Sequence, residues 1–173
     1  VKVRYGNDRP DEVHGPMSVA EAHRLLQDLV TEQGNPENKL AIAQVEVSHP
    51  SPFLQHGMVL IDTPGIGSTL GHNTEVTLNF LPQCDAAVFV VSVDPPITQV
   101  EADFYAMVRH QAKRLFIVLN KADYLAADEV AQVLGFLEKT LGSDQGTGVE
   151  TVHTVSAREG LRARLANNRQ AWA

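Results

Sequence analysis

The chain has 173 residues, 43% of them apolar, with a formal net charge of −7 and a pI near 5.4. That is enough for one ordinary globular domain with a sizeable core, and the acidic balance argues against a nucleic-acid partner, which needs clustered Lys and Arg. The only cysteine, Cys84, excludes an internal disulfide and fits a reducing, cytoplasmic setting. No apolar run approaches the ~20 residues of a membrane-spanning helix.

Val1 to Tyr5 alternates apolar and polar residues, as a half-buried or edge strand does. It resembles neither a signal peptide nor an initiator end, so the sequence reads as an internal segment of something longer. Residues 6–17 are rich in Gly, Pro and Asp and read as a loop. Ser18-Val19-Ala20-Glu21 is a capping box opening a helix to about Glu32, with Val19, Ala22, Leu25, Leu26 and Leu29 in one stripe. Gly34-Asn35-Pro36 stops it. Ala41 to Ser48 alternates again, and Pro50-Ser51-Pro52 ends that strand. Met58 to Ile61 is apolar throughout and is expected to be a central strand buried on both faces.

Ala86 to Val91 is a third buried strand, preceded by Cys84 as a packing thiol and closed by Asp94-Pro95-Pro96. Thr98-Gln99-Val100-Glu101 caps the next helix, and Leu115 to Leu119 is the strand after it. Residues 127–141 form a helix with Val130, Val133, Leu134, Leu137 and Leu141 inward, Val149 to Val155 a last strand, and 159–171 a last helix. Strands alternating with helices argue an α/β fold with a mostly parallel sheet, the two early alternating strands lying at its mixed edge. No internal repeat or domain boundary is legible.

In an open parallel sheet, ligands bind outside the carboxyl ends of the strands, and three polar loops follow strands here. In Asp62-Thr63-Pro64-Gly65, Asp62 can hold Mg²⁺ through a water. Gly65 lets its backbone N–H approach a γ-phosphate. In Asn120-Lys121-Ala122-Asp123, the Asp123 carboxylate can accept from the ring N–H and exocyclic amine of guanine. Adenine offers neither donor there, so the site would reject it. Lys121 lays its stem over the base and Asn120 braces neighbouring loops. Ser156-Ala157 alone reads as a helix N-cap; third in this order, it becomes the loop whose N–H near Ala157 reaches the guanine carbonyl.

No lysine follows a glycine, so the chain contains no Gly-x-x-x-x-Gly-Lys-Ser/Thr phosphate loop, and that loop is expected upstream of Val1. The seven histidines show no metal-ligand spacing, and His72 reads as a solvated loop residue.

Two stretches carry a family resemblance. The first runs from Val1-Lys2-Val3-Arg4-Tyr5-Gly6 through the capped helix and Gly34-Asn35-Pro36 to Ser51-Pro52. The second is His72-Asn73-Thr74-Glu75 to Leu81, with Cys84-Asp85-Ala86 and Ser92-Val93-Asp94-Pro95-Pro96-Ile97-Thr98. Together they resemble the GTPase domain of the dynamin superfamily, its bacterial dynamin-like branch in particular. The resemblance implies a P-loop-NTPase-type three-layer sandwich of the TRAFAC GTPase class, with helices on both faces and the central P-loop strand missing. It implies GTP hydrolysis with Mg²⁺, and a homodimer formed through the nucleotide face. It also implies a location in the cytoplasm or peripherally at the membrane, with lipid contacts made by regions outside the chain. Carried over are Asp62 and Gly65 as catalytic residues, with Asp62, Thr63, Pro64, Gly65, Asn120, Lys121, Asp123, Ser156 and Ala157 holding GTP or GDP. The alternatives are a degenerate, non-enzymatic GTPase-like scaffold and another TRAFAC-class GTPase of ribosome-assembly type.

Overall fold

The computed structural model describes residues 1–63, 77–142, 151–168 and 170. The chain divides into two compact units, Val1–Ile61 and Asp62–Ala173.

The first unit is built on a small antiparallel sheet. Strand β1 (Lys2–Tyr5) lies between β2 (Glu12–Val13) and β3 (Ile42–Glu46). These strands therefore form their own sheet, which corrects the expectation that they extend the edge of the parallel one. Val3 is its one fully covered apolar side chain among the described residues. Helix α1 (Val19–Val30) starts at the Ser18 capping box, where the Glu21 N–H donates to Ser18 Oγ and the Ser18 N–H to Glu21 Oε2. The helix is followed by a polar plug. Asn35 is buried, donating from Nδ2 to the Leu29 carbonyl at 2.9 Å while its Oδ1 accepts from Leu40 N–H at 3.0 Å. Gly34 has to be glycine, because a Cβ there would sit 2.3 Å from the Gln27 carbonyl oxygen.

Residues 58–61 depart from expectation. No described strand pairs with them, and Met58, Val59, Leu60 and Ile61 are 46–76% exposed. A central strand exists only where neighbours complete its ladder. Without such neighbours, an apolar run remains unpaired and wet.

The second unit holds a parallel sheet in the order β4 (Ala87–Ser92), β5 (Leu115–Asn120), β6 (Val152–Thr154). Its register sets Ser92 opposite Asn120 and Leu119 opposite Thr154, so the carboxyl ends of all three strands lie together. Helices α2 (Gln99–Gln111), α3 (Ala127–Gly142) and α4 (Ala157–Leu165) belong to the same unit. Thr98 and Glu101 form a second capping box at α2. The last helix begins at Ala157, two residues before its expected start, because Ser156 caps it.

The core is one-sided. Phe89 and Val91 of β4, Ile117 and Leu119 of β5, Phe104, Tyr105 and Val108 of α2, and Leu137 and Leu141 of α3 form one cluster. Within it Phe89 meets Tyr105 edge-on, with centroids 5.4 Å apart. The alternate residues Val88, Val90 and Phe116 are 47–61% exposed. Strands β4 and β5 are thus buried on one face among the described residues, not on both as their unbroken apolar runs suggested. The structure is a mixed α/β fold with a three-stranded parallel sheet.

Candidate base-recognition site

The site is assembled at the carboxyl edge of β5 and β6. The Val155 N–H donates to the Leu119 carbonyl at 2.9 Å and the Ala122 N–H to the Val155 carbonyl at 3.2 Å, so the Asn120 and Ser156 loops are laced together by backbone. Asn120 ties them again. Its Oδ1 accepts from the N–H of Lys121 at 2.8 Å and from the N–H of Ala157 at 3.1 Å. One side chain at the end of β5 thereby orders two loops 37 residues apart.

Lys121 sits in the left-handed region, at φ 65° and ψ 26°. For a residue with a Cβ that conformation costs about 1–3 kcal/mol and persists only where surroundings enforce it. The Asn120 acceptor provides part of that enforcement. So does the following 3₁₀ turn (Ala122–Tyr124), in which the Tyr124 N–H donates to the Lys121 carbonyl at 3.0 Å. The turn directs the chain so that Asp123 lies beside the start of α4. Ser156 accepts from the Glu159 N–H at 3.1 Å as the helix N-cap. The Ser156 hydroxyl also bonds to Asp123 and, together with the charge of Arg158, holds its carboxyl below the usual aspartate range, against partial desolvation.

Two further side chains complete this corner. Arg158 pairs with Asp123 through Nη2 and lies over the Tyr124 ring, its Cζ 4.7 Å from the centroid. The sequence offered no pattern for either residue; the one available signal was an arginine directly after Ser-Ala. The Ser92 hydroxyl, at the end of β4 opposite Asn120, is buried without a hydrogen-bond partner among the described residues.

Asn120, Lys121, Asp123, Ser156 and Ala157 are therefore neighbours in one constellation. Asp62 and Thr63 are described, lie in no regular element, and have no hydrogen bond or ion pair to that constellation among the described residues. Asp62 is exposed. Pro64, Gly65 and His72 lie outside the described residues. No group of three or more metal-ligating side chains occurs among the described residues. An exposed carboxylate that belongs to no such group among the described residues suits a Mg²⁺ that keeps most of its waters and takes phosphate oxygens, rather than one held in a protein cage.

The profile of the Dynamin family matches residues 4–122, more than half of the sequence. The chain belongs to the dynamin family. An uncharacterised protein from the xynA 3′ region of Caldicellulosiruptor sp. is 36% identical over 140 residues, which is 81% of this chain and 35% of that protein. The probable transmembrane GTPase FZO-like, chloroplastic, of Arabidopsis thaliana is 32% identical over 118 residues, 68% of this chain and 13% of its own length. Dynamin-like protein 1 of Campylobacter jejuni is 26% identical over 111 residues, 62% of this chain and 15% of its own. The dynamin-family chain thus spans a minor part of each of these relatives. Membership marks it as belonging to a GTPase family whose domain binds guanine nucleotide, and the family match runs from the antiparallel sheet to the first residues of the Asn120 loop.

Proposed function

We propose that this chain supplies the guanine-reading part of a dynamin-like GTPase that hydrolyses GTP and couples hydrolysis to a lipid surface. The observation that supports it best is the Asn120–Asp123–Ala157 constellation at the carboxyl edge of a parallel sheet, in a dynamin-family chain. Asp123 accepts from the ring N–H and the exocyclic amine of guanine. Lys121 covers the base with its stem, and the Ala157 N–H serves the base carbonyl, shared with Asn120 Oδ1. Asp62 would hold Mg²⁺ through a water, and the Gly65 N–H would donate to the terminal phosphate. Mg²⁺, when bound, supplies charge neutralisation on the phosphates, and the protein contributes positioning and electrostatics. Homodimerisation across the nucleotide face belongs to the same proposal.

Equilibrium binding of GTP, ATP and xanthosine triphosphate to the intact protein tests the base reading. Wild type is expected to bind GTP and reject ATP. Asp123→Asn is expected to lose GTP and gain the xanthosine nucleotide, because an amide N–H faces the carbonyl that xanthine carries in place of the amine. GTP binding and turnover unchanged by Asp123→Ala would refute the assignment.

A further inference from the structure

The carboxylate that is to read guanine is already engaged. Arg158 Nη2 donates to Asp123 Oδ2, and the Asp123 side chain is 14% exposed against 48% for Arg158. The chemistry of this partner is specific. Guanine presents to a carboxylate the N–H and amine borne on its C2, a carbon bonded to three nitrogens, which makes that edge a cyclic guanidine. Arginine presents the same fragment with a full charge. Resting on the guanine reading above, we infer that Arg158 is an internal surrogate for the base, which pairs with Asp123 and must leave it for the nucleotide to be read.

The surroundings give the displaced side chain a second position. Its Nε lies 3.6 Å from Glu159 Oε1, a carboxylate that Arg162 also contacts at 2.8 Å. The Tyr124 ring lies under the guanidinium, with the Tyr124 hydroxyl 3.5 Å from Nη1, and the rigid guanidinium plane moves as a unit when Nη2 leaves Asp123. Arg158 therefore has, in Glu159, a carboxylate that its Nε already faces and that it retains on leaving Asp123. The cost to the nucleotide is the competition of one partly exposed ion pair, roughly two- to five-fold in affinity. It falls as salt screens the pair.

The experiment is calorimetric titration of the intact protein with GDP and Mg²⁺, at low and high ionic strength. Arg158→Gln removes the charge and the guanidinium that pairs with Asp123, and is expected to tighten GDP binding two- to five-fold at low salt, with the gain lost at high salt. Glu159→Gln removes the second position and is expected to weaken binding. In an Asp123→Asn background titrated with xanthosine diphosphate, Arg158→Gln is expected to change nothing, because no carboxylate remains to be occupied. Unchanged or weaker GDP binding by Arg158→Gln, in a protein whose Asp123→Asn variant still switches to xanthosine diphosphate, overturns the surrogate role and leaves the guanine reading standing. Binding of neither nucleotide by any variant overturns both.

Discussion

Asn120 does more for the site than its composition suggests. Its single Oδ1 accepts two backbone N–H groups, at Lys121 and at Ala157, and those bonds hold a left-handed lysine and the first turn of α4 in place. Neutral hydrogen bonds of this kind contribute a net ~0.5–1.5 kcal/mol each. Asn120→Ala is therefore expected to destabilise the corner by about 1–3 kcal/mol, and to speed amide hydrogen exchange at Lys121 and Ala157 more than elsewhere. Asn120→Asp keeps an oxygen acceptor at that position and should restore slow exchange at those two amides. Equal exchange at both amides in wild type and Asn120→Ala would show that the backbone lacing through Val155 alone holds the loops. The Arg158–Asp123 pair belongs to a different class of interaction. It joins a half-exposed guanidinium to a largely covered carboxylate at the protein surface, so its weight lies in what it competes with rather than in the stability it adds.

At the level of elements, helix α1 responds to pH through its cap. Glu21 is held below the usual glutamate range, first by the Ser18 hydroxyl and then by the Ser18 backbone N–H. A carboxyl depressed in the folded state contributes stability above its ordinary range and loses it as pH falls through the lowered value. The α1 cap should therefore be intact at neutral pH and fail only in acid more extreme than an unpaired glutamate would need. Acid titration of wild type and Ser18→Ala by circular dichroism checks this: the variant should lose helix at higher pH, and superimposed curves would dismiss the cap as a pH-sensitive element. These caps were legible in the sequence because they are local chemistry, a hydroxyl and a carboxylate three residues apart. Strands β4 and β5 were legible for a similar reason, as unbroken apolar runs. Their covering was not. Burial of Val88, Val90 and Phe116, and ladder pairing of residues 58–61, depend on what other chain lies against them, which no run of residues records in itself. In the site, the loop order and strand context picked out Asn120, Asp123 and Ser156 together. Arg158 and Tyr124 escaped because a cation lying over a ring and paired across 35 residues leaves no spacing to read.

For the molecule as a whole, the deciding observation is the apolar surface left in water. Val88, Val90 and Phe116 line one face of the parallel sheet, and Val59 and Leu60 of the unpaired run are 76% and 68% exposed. Covering a Val, Leu or Phe side chain is worth about 1.5–3 kcal/mol, while the net stability of a domain is only about 5–15 kcal/mol. Several such residues left wet therefore forgo a sum comparable to the whole margin, and β4 carries a ladder edge with no strand beyond it among the described residues. A polypeptide of these 173 residues by themselves is accordingly expected to melt early and broadly by circular dichroism, to bind a hydrophobic dye before it melts, and to hold GDP weakly. Two substitutions separate the wet face from the core. Val88→Thr with Val90→Thr should lower dye binding and leave the transition nearly where it was, as exposed positions do. Leu137→Ala, at a position with no exposure, should cost about 2–5 kcal/mol. A sharp, high-temperature transition without dye binding would mean that the face is covered in solution, by a second copy or by residues outside those described. In that case the paired threonine variant would lose stability on the scale of Leu137→Ala, which makes it the control that tells a wet face from a hidden one.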